Sequence, residues 1–269
     1  MSTPMASIHD TLNYHKMDRR LYERVMGLGR ASTVARNIIA LWMWLELIDV
    51  NVVHFLKDVT IPNVLLNFIK EAEAILDIIR QDSPPSDDDA LVAIPFTADF
   101  VSEPFNLRFF YFNREVVVRG LTKMLDGVGT LIFNDHLSHM LNTYERTVSF
   151  AREQGMRLPT MPQELAQPYN SDIIPPLEDY RSLFITFSIG FALSREEIAE
   201  YFNEKMGECV DRVMLERRPT RATPMYGRIV FKSQALIDIL LNGERLAKFT
   251  IRGTEIWGRK YIPRIGRTR

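Results

Sequence analysis

Apolar residues recur at intervals of three and four over most of 18–155, and from about residue 181 they recur in several stretches at intervals of two. The first spacing is that of helices burying one face; the second is that of strands with two unlike faces. Helices are predicted over 18–28, 34–48, 52–59, 63–80 and 133–154, and over 99–127 with a break near Pro104. Leu21, Val25 and Leu28 share a face of the first, which Gly27-Leu28-Gly29 ends. The second, capped by Ser32 or Thr33, is apolar on most sides (Ile38, Ile39, Leu41, Trp42, Met43, Trp44, Leu45) and belongs at the centre of a helical domain. The helix over 63–80 carries Val64, Leu65, Phe68, Ile69, Ala72, Ile75, Leu76 and Ile79 on one stripe. Phe105, Phe109, Phe110 and Phe112 alternate with Arg108, Arg114 and Arg119, a pattern read as core rings with a solvated rim. Residues 1–17 have no clear period and are expected to form a flexible arm. The stretch 81–89 is polar, acidic and broken by proline, hence an exposed loop. Within it, Ser86 before three aspartates is a phosphate-acceptor candidate whose ordinary reading is a solvated serine.

Pro159, Pro162, Pro168, Pro175 and Pro176 preclude a regular helix and predict an extended linker over 156–180. Beyond it the strands are predicted at 183–188, 209–216, 225–231, 246–251 and 255–262. Helices are predicted at 194–206, with Ser194 and Glu197 as a capping box, and at 233–241, ending at Asn242-Gly243. The order is β-α-β-β-α-β with an added hairpin strand, the split βαβ or ferredoxin-like pattern. In the first strand Leu183, Ile185 and Phe187 point one way, Phe184 and Thr186 the other. In the third, Gly227, Ile229 and Phe231 point one way, Tyr226, Arg228 and Val230 the other. Placed side by side, these strands make one hydrocarbon face and one that offers Phe184, Tyr226 and Arg228 to solvent. Rings and a guanidinium on an open sheet can stack nucleic-acid bases.

Composition sharpens this picture at three points. The chain has 269 residues, 46% apolar and 25% charged, an ordinary globular balance large enough for two domains. Its longest apolar stretch, 38–48, is too short to cross a bilayer and contains Glu46. No basic segment followed by an apolar one opens the chain, so the expected location is nuclear or cytoplasmic, not secreted. The single cysteine, Cys209, permits no internal disulfide and is expected to be packed and inert. The net charge of −1 conceals an asymmetry: from Arg181 on, 17 Lys and Arg face 10 Asp and Glu, and the preceding part holds 16 against 24. A basic module on an acidic carrier suits a polyanion; the same charges also allow the two parts to attract each other.

Chemistry beyond binding finds no foothold. His136 and His139 lie three apart with no third ligand to complete a metal site, and Gly127-Val-Gly129 lacks the Gly-Lys-Ser/Thr of a phosphate cradle. No nucleophile has an evident base. The expectation is therefore a non-enzyme with no cofactor and no metal.

The C-terminal third, about 181–264, resembles the RNA recognition motif family. Residues 183–188 resemble its six-residue first-strand motif, with the stacking ring at Phe184 and Phe187 where Asn is usual. Residues 224–231 resemble its eight-residue third-strand motif, Lys/Arg-Gly-Phe/Tyr-Gly/Ala-Phe-Val-x-Phe/Tyr. Tyr226, Gly227, Ile229 and Phe231 agree; Pro224, Met225 and Arg228 depart from it, Arg228 standing where a second stacking ring is usual. Gly258-Arg259-Lys260-Tyr261 is similar to the opening of the family's last strand. The whole layout resembles a group of plant proteins with a helical N-terminal region and one divergent motif ending in a segment like Trp257-Gly-Arg-Lys260. The resemblance implies an α plus α/β two-domain chain: arm 1–17, all-α domain 18–155, linker 156–180, ferredoxin-like domain 181–264 and basic tail 265–269. It implies weak binding of single-stranded RNA with little sequence selectivity, through Phe184, Thr186, Tyr226 and Arg228. Phosphates would meet Arg217, Arg218 and Arg221 in the loop before the third strand, and Lys260, Arg264, Arg267 and Arg269 at the C-terminal edge. The helical domain would engage an unidentified protein partner. The alternative is a degenerate motif acting as a protein–protein adaptor without RNA.

Overall fold

The computed structural model describes residues 6–101, 105–170, 172–187, 193–216 and 224–263. In chain order the helices of the first part are α1 (Ile8–Tyr14), α2 (Lys16–Gly27), α3 (Ser32–Leu47), α4 (Val52–Leu56), α5 (Pro62–Ile78) and α6 (Asp87–Val92). They continue with α7 (Pro95–Ala98), α8 (Leu107–Phe112), α9 (Arg114–Asp126), α10 (Gly129–Ile132), α11 (Asp135–Glu153) and α12 (Gln163–Ala166). Then come β1 (Ser182–Phe187), α13 (Arg195–Met206), β2 (Val210–Leu215), β3 (Tyr226–Phe231), α14 (Ala235–Leu241), β4 (Ala247–Ile251) and β5 (Thr254–Lys260). The N-terminal part is thus helix-rich, and the C-terminal part combines helices with a five-stranded antiparallel sheet, an α+β arrangement.

Helix α3 is the axis of the helical part because its apolar residues surround it. Ile38, Ile39, Leu41, Trp42 and Leu45 are all buried, and α2, α4, α5 and α9 pack around it. Gly120 of α9 lies against the Trp44 ring; a Cβ there would come within 2.1 Å of Cδ1. Helix α5 buries Leu65, Phe68, Ile69, Ala72, Ile75 and Leu76. The same buried side holds Glu71, whose carboxylate accepts from the amides of Phe96 (2.8 Å) and Thr97 (2.7 Å) and from the Thr97 hydroxyl (2.6 Å). Those amides are orphan donors of the short helix α7, which gives a buried carboxylate its partners.

Three segments depart from the sequence expectation. The described part of the arm is helical: Ser7 and Asp10 form a capping box on α1. Leu12 is buried with Leu131, Leu137, Leu141 and Leu165. The linker supplies part of that small core through α12, and it pairs with the arm through Ile8 N to Gln167 O and Tyr169 N to Ala6 O, both 2.8 Å. The loop 81–89 already starts a helix, since Ser86 accepts from the Asp89 amide as the cap of α6. Ser86 therefore has a local structural role.

The sheet order is β2-β3-β1-β5-β4, with every neighbour antiparallel. Leu183, Ile185, Ile229, Phe231, Phe249 and Ile256 point to the buried side, where Phe202 of α13 meets Phe231 and Phe249 edge-on at 5.5 and 5.2 Å. Gly227 and Gly258 flank Ile185 in register. A Cβ at Gly258 would fall 2.7 Å from Leu183 Cδ2, so the helix-side packing requires glycine there. Helices α13 and α14 bury their far sides against α9, and α14 also touches α3.

One continuous core therefore runs from Leu21 to Ile256, and the 156–180 stretch does not divide it. Polar contacts cross the same seam. Asn37, fully buried, donates to Asp238 O and to Asn242 Oδ1, both at 2.9 Å. The Lys205 ammonium reaches Asp82 at 2.6 Å. This last contact joins a basic residue of the C-terminal part to an acidic one of the N-terminal part.

Candidate nucleic-acid interface

The strand period places Ser182, Phe184 and Thr186 of β1 on the side of the sheet away from α13 and α14. Antiparallel register then decides their neighbours. Thr186 lies opposite Tyr226 on one side and Trp257 on the other; Phe184 lies between Arg228 and Arg259. Arg228 is in turn opposite Met214 of β2. The outward face thus has a row Tyr226-Thr186-Trp257 and, one step along, a row Met214-Arg228-Phe184-Arg259. Tyr226 and Trp257 are 45% and 41% exposed. Adjacent strands are about 4.8 Å apart, so the rings of Tyr226 and Trp257 stand on backbones about 10 Å apart, with Phe184 on the strand between them and in the next row.

The rings and cations are already organised with one another. Phe184 and Tyr226 have centroids 5.8 Å apart and planes inclined by 27°. The Arg259 guanidinium lies over Phe184 at 4.6 Å, and the Arg228 guanidinium over Tyr261 at 4.0 Å. Such pairs hold both groups in place while leaving the guanidinium edge able to bind anions.

At the β1 entrance the face is closed. Ser182 and Val230 are buried there. The chain arrives through a turn at 178–181, in which Arg181 N donates to Glu178 O at 3.2 Å and the Ser182 hydroxyl donates to the same carbonyl. Asp179 accepts from Arg228 Nη2 at 2.7 Å, while Arg228 Nε donates to the Ser182 hydroxyl oxygen at 2.9 Å. Glu178 pairs with Arg212, the outward residue of β2 one step further along. Arg228 consequently keeps 18% of its side-chain exposure and Arg212 keeps 51%. Lys248 on β4 is paired with Glu255 at 2.8 Å. Arg259 has no carboxylate partner among the described residues.

Of the residues expected from sequence, Phe184, Thr186, Tyr226 and Arg228 share this face. Lys260 does not: it follows Arg259 and so points to the helix side, where Nζ lies 3.7 Å from Asp238 of α14. Its ammonium thus makes a long strand–helix ion pair off the outward face, with the side chain still 47% exposed. Arg217, Arg218, Arg221, Arg264, Arg267 and Arg269 lie outside the described residues. Sequence reasoning passed over Trp257, Arg259, Tyr261 and Arg212. The signal for three of them was present, since Ile256 and Gly258 turn inward and leave Trp257, Arg259 and Tyr261 outward. His136, exposed, lies 3.3 Å from Glu164. Among the described residues no group of three His, Cys, Asp or Glu is placed to hold a metal, and no helix is long and apolar enough to cross a membrane.

Comparison with protein-family models, with curated proteins and with solved structures returned no match.

Proposed function

We propose that the outward face of the sheet binds single-stranded RNA, weakly and with little sequence selectivity, as a divergent recognition-motif domain of ferredoxin-like topology. The observation that carries the reading is the set Tyr226, Phe184, Trp257 and Arg259 on one side of the sheet, with Tyr226 and Trp257 exposed. Each ring offers a π-face that accepts any base, worth about 1–3 kcal/mol per stacked base. Arg228 and Arg259 supply the cations for the intervening phosphates, contacts that orient the strand without reading it. The element order and the sheet order β2-β3-β1-β5-β4 support the same reading. The helical part, fused to the sheet through α9, is proposed to present the surface for a protein partner.

The test is anisotropy titration of short fluorescent single-stranded RNAs with the full chain at low and physiological salt. The full chain is required because α13 and α14 bury one side against α9. Binding that weakens with salt is expected, and Phe184→Ala with Tyr226→Ala should reduce affinity at least tenfold, as loss of about 1–3 kcal/mol per ring demands. Absence of binding at both salt concentrations refutes the reading. Binding unaffected by both substitutions moves the RNA site off this face and leaves the face free for a protein partner.

A further inference from the structure

We propose that the acidic pair Glu178–Asp179 is an internal stand-in for two phosphates, which an RNA strand must displace to occupy the face. This rests on the RNA reading above and deepens it. The two carboxylates sit on Arg212 and Arg228, outward residues of the neighbouring strands β2 and β3. A guanidinium accepts a carboxylate and a phosphate by the same forked geometry. The phosphate track of the bound strand therefore runs along the β2–β3 side, past Arg228 and Arg212, with the bases turned toward Tyr226, Phe184 and Trp257. Arg212 becomes a binding residue of that track.

The turn that carries the acids is anchored independently of them. Arg181 donates through Nε to Pro176 O at 3.1 Å and pairs with Asp211 at 2.8 Å. Tyr180 N bonds to Leu177 O at 2.9 Å. The carboxylates can leave while the backbone stays. They are held lightly as well, since Glu178 and Asp179 keep 39% and 43% of their side-chain exposure, and ion pairs that wet are weak. A polyanion thus competes effectively, whereas a neutral ligand gains nothing by replacing them. The result is a face whose affinity is set below what its rings and cations would give alone.

The experiment compares the full chain with Glu178→Gln/Asp179→Asn and with a control, Glu208→Gln. Glu208 lies in the α13–β2 connection, paired only loosely with Lys232 at 3.8 Å. Binding of a short single-stranded RNA is measured over a series of salt concentrations. The double variant should bind about three- to tenfold more tightly, as release of two exposed pairs implies. Its slope of log affinity against log salt should stay within about 0.7 of the parent's, because the same two guanidiniums meet phosphate in both complexes once the carboxylates have left. Equal affinity in the double variant and the parent overturns the proposal and leaves RNA binding standing. An equal gain in Glu208→Gln overturns it too, by showing a general charge effect. If neither parent nor variant binds RNA at low salt, the RNA reading and this proposal fall together. Matching thermal midpoints of the three proteins establish that the comparison is between folded chains.

Discussion

Replacing Asp82 by Asn should loosen the seam between the helices and the sheet, and the pH dependence of the loss identifies its cause. Asp82 follows α5 in a stretch whose polarity suggested solvent. It instead accepts from Lys205 Nζ at 2.6 Å and from the Tyr201 hydroxyl at 2.7 Å, both on α13. Lys205 is only 3% exposed. Burial pushes the Lys205 ammonium below its ordinary value, although Asp82 opposes the shift. Burial also works against the charged Asp82, but the hydrogen bonds from Lys205 and Tyr201 outweigh it and hold the carboxyl below the usual range.

Removing the counter-charge of a fully buried ammonium costs about 3–5 kcal/mol. Here water reaches the site beside Asp82, whose side chain is 47% exposed, and the Tyr201 oxygen remains 3.1 Å from Nζ. The expected loss is about 2 kcal/mol, within the range for hydrogen bonds to charged groups, or about 5 °C in Tm for a chain of this size. The signs follow from the two shifts. The folded pKa of Asp82 is lowered, so its contribution is complete above the ordinary carboxylate range and is lost as pH falls through the folded value. The folded pKa of Lys205 is also lowered, so its ammonium burdens the folded state until pH rises through that value. In Asp82→Asn the ammonium loses its partner and its pKa falls further. The deficit relative to the parent is therefore largest near neutral pH and narrows toward pH 10. Urea unfolding followed by tryptophan fluorescence at a series of pH values measures it. An unchanged midpoint at neutral pH, or a deficit that widens with alkalinity, refutes the argument. Adding Lys205→Met to Asp82→Asn should restore most of the loss, because an apolar side chain needs no counter-charge.

Arg259→Ala should weaken RNA binding about tenfold, since it removes both a phosphate contact and the cation over Phe184. Lys260→Ala should change affinity less than about twofold, because Nζ is on the helix side with Asp238; equal effects of the two would place the ligand elsewhere. Gly120→Ala should destabilise the chain in thermal melts by about 1–3 kcal/mol, overriding a helix-propensity gain of at most about 1 kcal/mol. The loss should shrink in a Trp44→Leu background, because the clash is with the Trp44 ring. The Cys209 thiol, pushed up to about 12 by burial, donates to Phe202 O at 3.4 Å. It should resist iodoacetamide at pH 8 in the native protein and react in urea, as alkylation followed by mass spectrometry would read; rapid native labelling would contradict its burial.

Local signals account for much of the architecture. The greasy surround of residues 38–45 required a central helix. The Ser194–Glu197 box marked the start of α13. Period-two alternation put Phe184, Tyr226 and Arg228 on one set of strand faces. Where reading failed, the signal was either overlooked or not local. Ser7 and Asp10 are spaced as a cap, but α1 is too short to persist without Leu131, Leu137, Leu141 and Leu165 to bury Leu12. The parity of Lys260 with Ile256 puts it on the helix side of β5, a placement that its charge and exposure alone do not reveal.

The sequence by itself determined which residues share a strand face, because side-chain direction follows from a backbone repeat that needs no partner. It also determined that most of 18–155 has a helical repeat and that the strands beyond 181 alternate. Only the tertiary structure decided which faces meet. Strand order and register bring Trp257 and Arg259 beside Phe184, and no periodicity encodes a pairing between residues more than seventy positions apart. Tertiary packing likewise laid Glu178 and Asp179 on Arg212 and Arg228 and merged the two parts into one core. Both outcomes depend on where a turn and a pair of helices find surface to bury, a free energy that belongs to the assembled chain.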